Sequence, residues 1–121
     1  MTLIEIMVVI TILGLIATLV AVAANERMME ARRHKALLDL RALASALELY
    51  RVHRGSFPTP ENGLEILVRE RFIRELPADP WGSPYVYVLQ NGEPVLSSLG
   101  ADREPGGHGA GEDIRLGPPA P

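Results

Sequence analysis

The sequence predicts an α+β protein in which one long N-terminal helix packs on a small C-terminal antiparallel sheet. Three observations support this prediction. An apolar run without charged residues extends from Ile6 to Ala24. Apolar residues then recur every three or four positions from Ala36 to Tyr50, which is the spacing of one helix face. Two short runs rich in Val, Leu and Tyr, residues 85–89 and 94–99, flank the turn sequence Asn91-Gly92 and indicate a hairpin.

The chain of 121 residues divides into three predicted segments. Residues 1–24 form a hydrophobic helix of membrane-spanning length, and residues 25–54 continue it as an amphipathic helix. Gly55 and Pro58 end this helix. Residues 55–121 form a small globular α/β head with a C-terminal loop. The chain has no cysteine, so a bound metal or contacts with other molecules would have to stabilise so small a core.

Charge and the placing of the histidines argue against two broad classes of function. The formal net charge is −3, and no strongly basic region is present, which argues against a nucleic-acid partner. The three histidines, His34, His53 and His108, lie far apart in the sequence and outside any metal or nucleophile pattern. We therefore expect no enzymatic activity.

Glu5 is a carboxylate at the start of the apolar run. As a helix, Ile6–Ala24 would span roughly 28 Å, about the thickness of the hydrocarbon core of a bilayer. A carboxylate deep in that core costs about 2.5–3.5 kcal/mol and needs a partner. The nearest cation is an α-amino group, either of its own chain or of Met1 in a neighbouring copy. The alternative is that Glu5 is merely solvated among lipid headgroups.

The stretch from Met1 to Ile6, followed by the apolar run, resembles the class III signature of type IV pilins and pseudopilins. The resemblance implies that a prepilin peptidase cuts before Met1 and methylates the new amine. It also implies that Glu5 pairs with the amine of an adjacent subunit during assembly. We therefore expect a mature product whose leader has been removed; the alternative is that Met1 is the initiator of an unusual anchor. Val22 stands where many members have proline, which leaves open whether the helix kinks or melts there.

Two head segments resemble motifs of the major pseudopilins of type II secretion systems. Residues 50–67 resemble the family's YxxxxGxYPTxxxGLxAL segment, and residues 76–85 closely match its LPxDPWGxPY motif. We expect the second motif to determine the fold rather than to bind a ligand. Its prolines fix φ, Gly82 supplies a turn, and Trp81 contributes the largest apolar surface.

A short helix is predicted between these two motifs. It is expected to start near Thr59 and to end near Arg71. Its inward-facing residues are predicted to be Leu64, Leu67 and Val68.

Carboxylates flank a glycine-rich stretch near the C-terminus, in residues 98–114. The residues alone leave open a flexible acidic loop or a site for a hard cation such as Ca²⁺, which takes six to eight oxygen ligands. The segment resembles the SLGADGxxGGxGxxxDI loop of the same pseudopilins, which binds calcium. That resemblance implies side-chain ligands at Asp102 and Asp113, a backbone ligand at Leu99, and weaker candidates at Ser98 and Glu112. Gly111 stands where the family often has a further acidic residue.

Together the resemblances imply a pilin-like filament subunit whose calcium-binding loop would take the place of a disulfide. The expected function is that of a structural subunit of the periplasmic pseudopilus, a helical homopolymer held by the N-terminal helix, which helps to drive the export of folded proteins. Expected partners are minor pseudopilins, the inner-membrane assembly platform and the prepilin peptidase, with no nucleic acid.

The expected location of the subunit changes with assembly. It would cross the bacterial inner membrane once as a monomer and stand in the periplasm after assembly. The main alternative is a major subunit of a type IV pilus, used for adhesion, motility or DNA uptake. The DPWG segment and the calcium-type loop favour the secretion family. A third class is a monomeric membrane-anchored calcium-binding module.

Overall fold

The computed structural model describes residues 1–118. The helices and strands of this part are α1 Leu3–Arg54, α2 Glu65–Arg69, β1 Val86–Gln90, β2 Glu93–Ser98 and β3 Ile114–Leu116, with a 3-10 turn at Gly109–Gly111. The chain forms two compact units, one from Met1 to Ala31 and one that begins at Arg32.

The first unit is the N-terminal part of α1. The helix continues through Gly14 and Val22 without a break. The chain therefore has a regular helix at position 22, where many family members have proline. Thr11 donates its hydroxyl to the carbonyl of Met7 at 2.7 Å, and Thr18 does the same to Gly14 at 2.9 Å. Both hydroxyls are therefore satisfied within the helix, as an apolar environment requires. By length and composition, α1 is able to cross a membrane.

The core of the second unit is built on one face of α1. This face is fully or nearly fully buried, as its spacing predicts, and its members are Ala36, Leu40, Leu43, Ala46, Leu47 and Tyr50. Leu67 from α2 and Leu96 from β2 pack against it, each almost completely buried. Burying each leucine contributes roughly 1.5–3 kcal/mol, so this helical face supplies much of the stability of the head.

The sheet is a three-stranded antiparallel meander in the order β1-β2-β3. Asn91 and Gly92 join β1 to β2 with φ values of 53° and 81°, the left-handed pair that a tight hairpin turn needs. The predicted hairpin is confirmed. Strand β3 was not part of the sequence prediction; it pairs with the end of β2, with Leu96 opposite Leu116 and Ser98 opposite Ile114.

Helix α2 is shorter than predicted. Only Glu65–Arg69 is helical, and the preceding residues 60–64 form turns. Leu64 and Leu67 are buried as expected, whereas Ile66 is buried in place of Val68, which is half-buried. The segment is a single helical turn that ends before Arg71, whose φ of 64° is left-handed and cannot continue the helix.

Two tyrosine hydroxyls tie the sheet region to the helix and its following loop. Tyr85 donates to Asp39 Oδ2 on α1 at 2.7 Å, and Tyr87 donates to the carbonyl of Pro58 at 2.7 Å. Burial, helped by the hydrogen bond to Asp39, raises the pKa of Tyr85 well above its ordinary value. Burial likewise raises the pKa of Tyr87 to about 12. Both hydroxyls therefore stay protonated donors in the folded head across the physiological range.

The DPWG segment is organised by a buried carboxylate, Asp79, which is only 4% exposed. Asp79 Oδ1 accepts from the backbone N–H of Trp81 at 3.1 Å and of Ser83 at 2.7 Å. Asp79 Oδ2 accepts from the hydroxyl of Ser98 on β2 at 2.8 Å. Trp81 itself is half-buried at the edge of the core. The hydrogen bonds of the motif are thus made by the aspartate, while the tryptophan packs at the edge of the core.

We predict that Asp79→Ala destabilises the head by about 3 kcal/mol, because it leaves the Ser83 N–H and the Ser98 hydroxyl buried without an acceptor. Thermal unfolding of the full chain in detergent micelles, followed by the fluorescence of Trp81, measures the loss. Asp79→Asn is the matched control, since it keeps Oδ1 as an acceptor and should lose less than half as much. Equal melting temperatures for the three proteins would contradict the assigned role of the carboxylate.

Candidate functional site

Glu5 closes a reciprocal cap at the start of α1. Its Oε2 accepts from the backbone N–H of Thr2 at 2.8 Å, while the hydroxyl of Thr2 accepts from the backbone N–H of Glu5 at 3.3 Å. This is a capping box, in which a threonine and a glutamate three residues later satisfy backbone donors that helix geometry leaves open. The negative charge of the carboxylate is also stabilised by the positive end of the helix dipole, which lies at the N-terminus of α1. Glu5 therefore has a structural partner within its own chain.

The amine of Met1 lies 3.8 Å from the same oxygen, Glu5 Oε2. The side chains are exposed, by 80% for Met1 and 59% for Glu5, so the attraction in this setting is weak. The sequence left open whether Glu5 pairs with the amine of its own chain or with that of a neighbouring copy. In the single chain, its own amine is within ion-pair distance. The carboxylate is held at the end of the helix, where it is also accessible to a second molecule.

The two carboxylates proposed as calcium ligands, Asp102 and Asp113, lie in what we call the acidic loop, residues 99–113. Each uses one oxygen to hold the loop backbone. Asp102 Oδ1 accepts from the N–H of Glu104 at 3.1 Å, and Asp113 Oδ2 accepts from the N–H of Gly106 at 3.0 Å. Among residues 1–118, Asp113 Oδ1 is a buried side-chain oxygen with no hydrogen-bond partner. A buried carboxylate oxygen without a donor is costly, and a bound cation would satisfy it.

Glycines pack tightly against the second oxygen of Asp102. A Cβ atom placed on Gly107 would lie 2.5 Å from Asp102 Oδ2 and 2.6 Å from the carbonyl oxygen of Gly111. A Cβ atom on Gly111 would lie 2.7 Å from the same carboxylate oxygen. At Gly107, whose φ is 94°, a side chain would collide with the backbone of Gly111, whereas at Gly111 only the Asp102 carboxylate would have to move. Without a Cβ atom on Gly107, the Asp102 carboxylate and the Gly111 carbonyl oxygen face the same small space.

The remaining proposed ligands have different surroundings. The hydroxyl of Ser98 donates to Asp79 and accepts from the N–H of Gly100 at 3.3 Å. Leu99 is half-buried, directly after the end of β2. Glu112 is exposed, and its backbone carbonyl accepts from Arg33 on α1 at 3.0 Å. The structure thus places Asp102 and Asp113 in one loop, but it leaves Ser98 engaged elsewhere.

The acidic loop offers oxygen atoms, which are the ligands that a hard cation prefers. Within residues 1–118, no group of three or more acidic or histidine side chains comes together, so two carboxylates and backbone carbonyls are what this loop offers. Calcium accepts mixed sets of carboxylate, carbonyl and water oxygens in irregular geometry, whereas zinc and copper prefer nitrogen and sulfur. The unpartnered oxygen of Asp113 and the oxygens around Gly107 are consistent with such an ion.

Comparison with known proteins decides the family. The family model described as type II secretion system protein G matches residues 24–117. This chain belongs to that family. The type II secretion system core protein G of Pseudomonas aeruginosa is 38% identical over 128 aligned positions, which cover 93% of this chain and 90% of that protein. The core protein G of Vibrio cholerae is 36% identical, with 93% and 87% covered.

A solved structure agrees with this assignment. The major pseudopilin of the type 2 secretion system of enterohaemorrhagic Escherichia coli superposes with a TM-score of 0.62 at 34% identity, covering 71% of this chain and 86% of that one. The expected pilin-like fold, with a long helix packed on a small antiparallel sheet, is therefore confirmed. The protein G family is one of structural pseudopilin subunits and not an enzyme family. The chain is a type II secretion pseudopilin, and the type IV pilus alternative is not favoured.

Three residues make polar contacts that the sequence analysis did not predict, namely Thr2, Arg33 and Arg103. Thr2 could have been found, because Thr-x-x-Glu before an apolar run is the sequence pattern of a capping box. The contacts of Arg33 with Glu112 and of Arg103 with Trp81 join residues far apart in the chain, and no local pattern indicates them.

We predict that Thr2→Ala frays the first turn of α1. Loss of the threonine hydroxyl removes half of the capping box and costs about 1 kcal/mol of helix stability. Hydrogen exchange of the backbone amides of residues 3–6 in micelles should then be several-fold faster, while exchange in the middle of α1 stays the same. Thr2→Ser, which keeps the hydroxyl, is the control and should exchange like the parent chain. Unchanged exchange in Thr2→Ala would show that the cap contributes nothing.

Proposed function

We propose that this pseudopilin polymerises through the N-terminal part of α1 into the periplasmic pseudopilus of a type II secretion system, and that growth of this filament helps to export folded proteins. The observation that carries the proposal is the exposure of the apolar segment. Large apolar side chains from Leu3 to Val22 are between 41% and 80% exposed in the single chain. A surface of this extent must be covered, by lipid in the monomer and by the same helix of other copies in the filament.

Glu5 acts in this proposal as the contact that sets the position of each subunit. A carboxylate that enters a core of packed apolar helices needs a cation, and the Met1 amine of the adjacent subunit supplies one. Methylation of that amine by a prepilin peptidase keeps its positive charge, so the attraction remains. The exposed position of Glu5 at the end of α1 and its own-chain amine at 3.8 Å support the pairing chemistry.

The proposed partners follow from this route of assembly, from the membrane into the filament. The monomer spans the inner membrane once, by α1, and an inner-membrane assembly platform transfers it into the growing filament. Minor pseudopilins complete the assembly. The head remains in the periplasm throughout, where calcium is available to the acidic loop.

Calcium has a structural role in this proposal. Asp102 and Asp113 are the side-chain ligands, and the carbonyl of Leu99 is the proposed backbone ligand, with Ser98 and Glu112 as weaker candidates. When bound, the ion supplies positive charge to a loop with several carboxylates and satisfies the buried oxygen of Asp113. Because β3 begins directly after the loop, closing the loop also supports the third strand of the sheet.

We predict that Glu5→Ala inserts into the membrane and folds, but does not form regular filaments. The apolar segment is intact, so burial still favours association, whereas the charge that fixes the position of the neighbour is lost. Electron microscopy of filaments sheared from overexpressing cells, together with membrane fractionation, measures both steps. Glu26→Ala removes another exposed carboxylate of the same helix and should assemble normally. Regular filaments from Glu5→Ala would overturn the assigned role.

We predict that calcium stabilises the head and that Asp113→Asn abolishes the effect. At a free calcium concentration of 100 times the dissociation constant, the gain is about 2.7 kcal/mol, which raises the melting temperature by several degrees. Melting curves of the full chain in micelles, with calcium and with excess chelator, measure it.

Glu104→Gln is the matched control for this experiment. It removes a carboxylate of the same acidic loop whose side chain is exposed, and it should keep the calcium response. Identical melting curves of the parent chain in calcium and in chelator would rule out the proposed ion.

A further inference from the structure

Arg33 links α1 to the far end of the acidic loop. Its Nη1 donates to the backbone carbonyl of Glu112 at 3.0 Å, across 79 positions of sequence. Glu112 directly precedes Asp113, so the bond holds the peptide that leads into this carboxylate. A guanidinium group suits this task because it is always charged and its planar donors make directed hydrogen bonds.

Arg103 makes the corresponding link at the near end of the loop. Its Nη2 donates to the backbone carbonyl of Trp81 at 2.7 Å. Arg103 directly follows Asp102, so this bond holds the chain next to the other carboxylate. The carbonyl that it contacts belongs to the turn held by Asp79, which is in turn bonded to Ser98 on β2. The N-terminal end of the loop is thereby connected to the hydrogen-bond network of the buried Asp79 carboxylate.

The backbone of Arg103 shows that this contact is maintained against a conformational cost. Its φ is 60°, in the left-handed region that glycine adopts freely and a residue with a Cβ atom adopts reluctantly. The hydrogen bond of its side chain to the carbonyl of Trp81 offsets this strain.

We propose that Arg33 and Arg103 are positioning residues that hold the acidic loop in its ion-binding shape from both ends, whether or not an ion is bound. Without them, the like charges of the loop would push its carboxylates apart. With them, the chain next to Asp102 and Asp113 is held in place, and a cation meets a loop that is already ordered. The effect on ion affinity rests on the proposed calcium site, whereas the ordering of the loop does not.

The sign of the effect separates positioning from simple charge. A nearby arginine repels a cation, so removing its charge should strengthen calcium binding if charge is all that matters. If the arginine holds the ligands in place, its removal should weaken binding, by about 10- to 100-fold for residues that support metal ligands. The two explanations therefore predict opposite changes.

The test uses the full chain in detergent micelles with Arg33→Gln and Arg103→Gln. In excess chelator, we expect hydrogen exchange of loop amides in residues 104–113 to become at least about 10-fold faster, with exchange in β1 unchanged. In calcium titrations by calorimetry, both variants should bind about 10- to 100-fold more weakly than the parent chain.

Matched variants separate the contributions of charge, backbone strain and hydrogen bonding. Arg115→Gln removes a positive charge two residues after Asp113, together with hydrogen bonds to Gln90 and Pro118 that lie outside the loop, and it should not accelerate exchange in the loop. Arg103→Gly relieves the strained φ but lacks the guanidinium, and it should behave like Arg103→Gln. Arg33→Lys keeps the charge without the planar donors, and it should lie between the parent chain and Arg33→Gln. It also serves as the second variant if Arg33→Gln fails to fold.

The outcomes keep this proposal apart from the calcium proposal. Faster loop exchange in chelator, with no calcium bound by any protein, would support the two arginines and overturn the ion. Calcium binding by the parent chain, with unchanged exchange and equal or tighter binding in the arginine variants, would support the ion and overturn the positioning role.

Discussion

Burial of one face of α1 organises the whole head. Leu40, Leu43 and Leu47 are almost completely buried, and both the sheet and α2 are placed by packing on them. A head of this size has little apolar surface of its own, so it is stable only as a cover for this helical face. Helix α1 therefore has two different surfaces, one after the other along its length. Its N-terminal part is apolar on every side, whereas its C-terminal part is apolar on the face that the head covers.

Directed hydrogen bonds complete what apolar burial leaves unfinished. Asp79 joins the DPWG turn to β2, Tyr85 joins the sheet region to Asp39 on α1, and the two arginines join the acidic loop to α1 and to the DPWG turn. In a chain without cysteine, these bonds connect segments that lie far apart in sequence. The bonds of Asp79 and Tyr85 are costly to lose, because they are buried or partly buried. The two arginine bonds lie at the surface, where each contributes less to stability but still holds its segment of the loop.

The sequence was sufficient to predict the elements that have a regular hydrophobic period or a specific turn sequence. The end of α1, its buried face and the Asn91-Gly92 hairpin all followed from local rules. Strand β3 did not, because its three residues are too short to show alternation and its pairing with β2 depends on distant residues. Helix α2 was predicted to start near Thr59, but residues 60–64 form turns and the helix begins at Glu65, because a single turn is too short to show a repeat that marks its start. Contacts such as Arg33 with Glu112 depend on tertiary structure and have no local signature.

The capping box has a thermodynamic consequence for assembly. Glu5 already has hydrogen-bond and ionic partners in the isolated chain. Pairing with a neighbour's amine would therefore be an exchange between two satisfied states, and its net free energy would be a small difference between similar terms. Such a contact selects among alternative arrangements of neighbouring subunits, but it does not supply the free energy that favours assembly. The drive must come from covering the apolar side chains of α1, and a balanced exchange at its tip would let a wrongly placed subunit leave again.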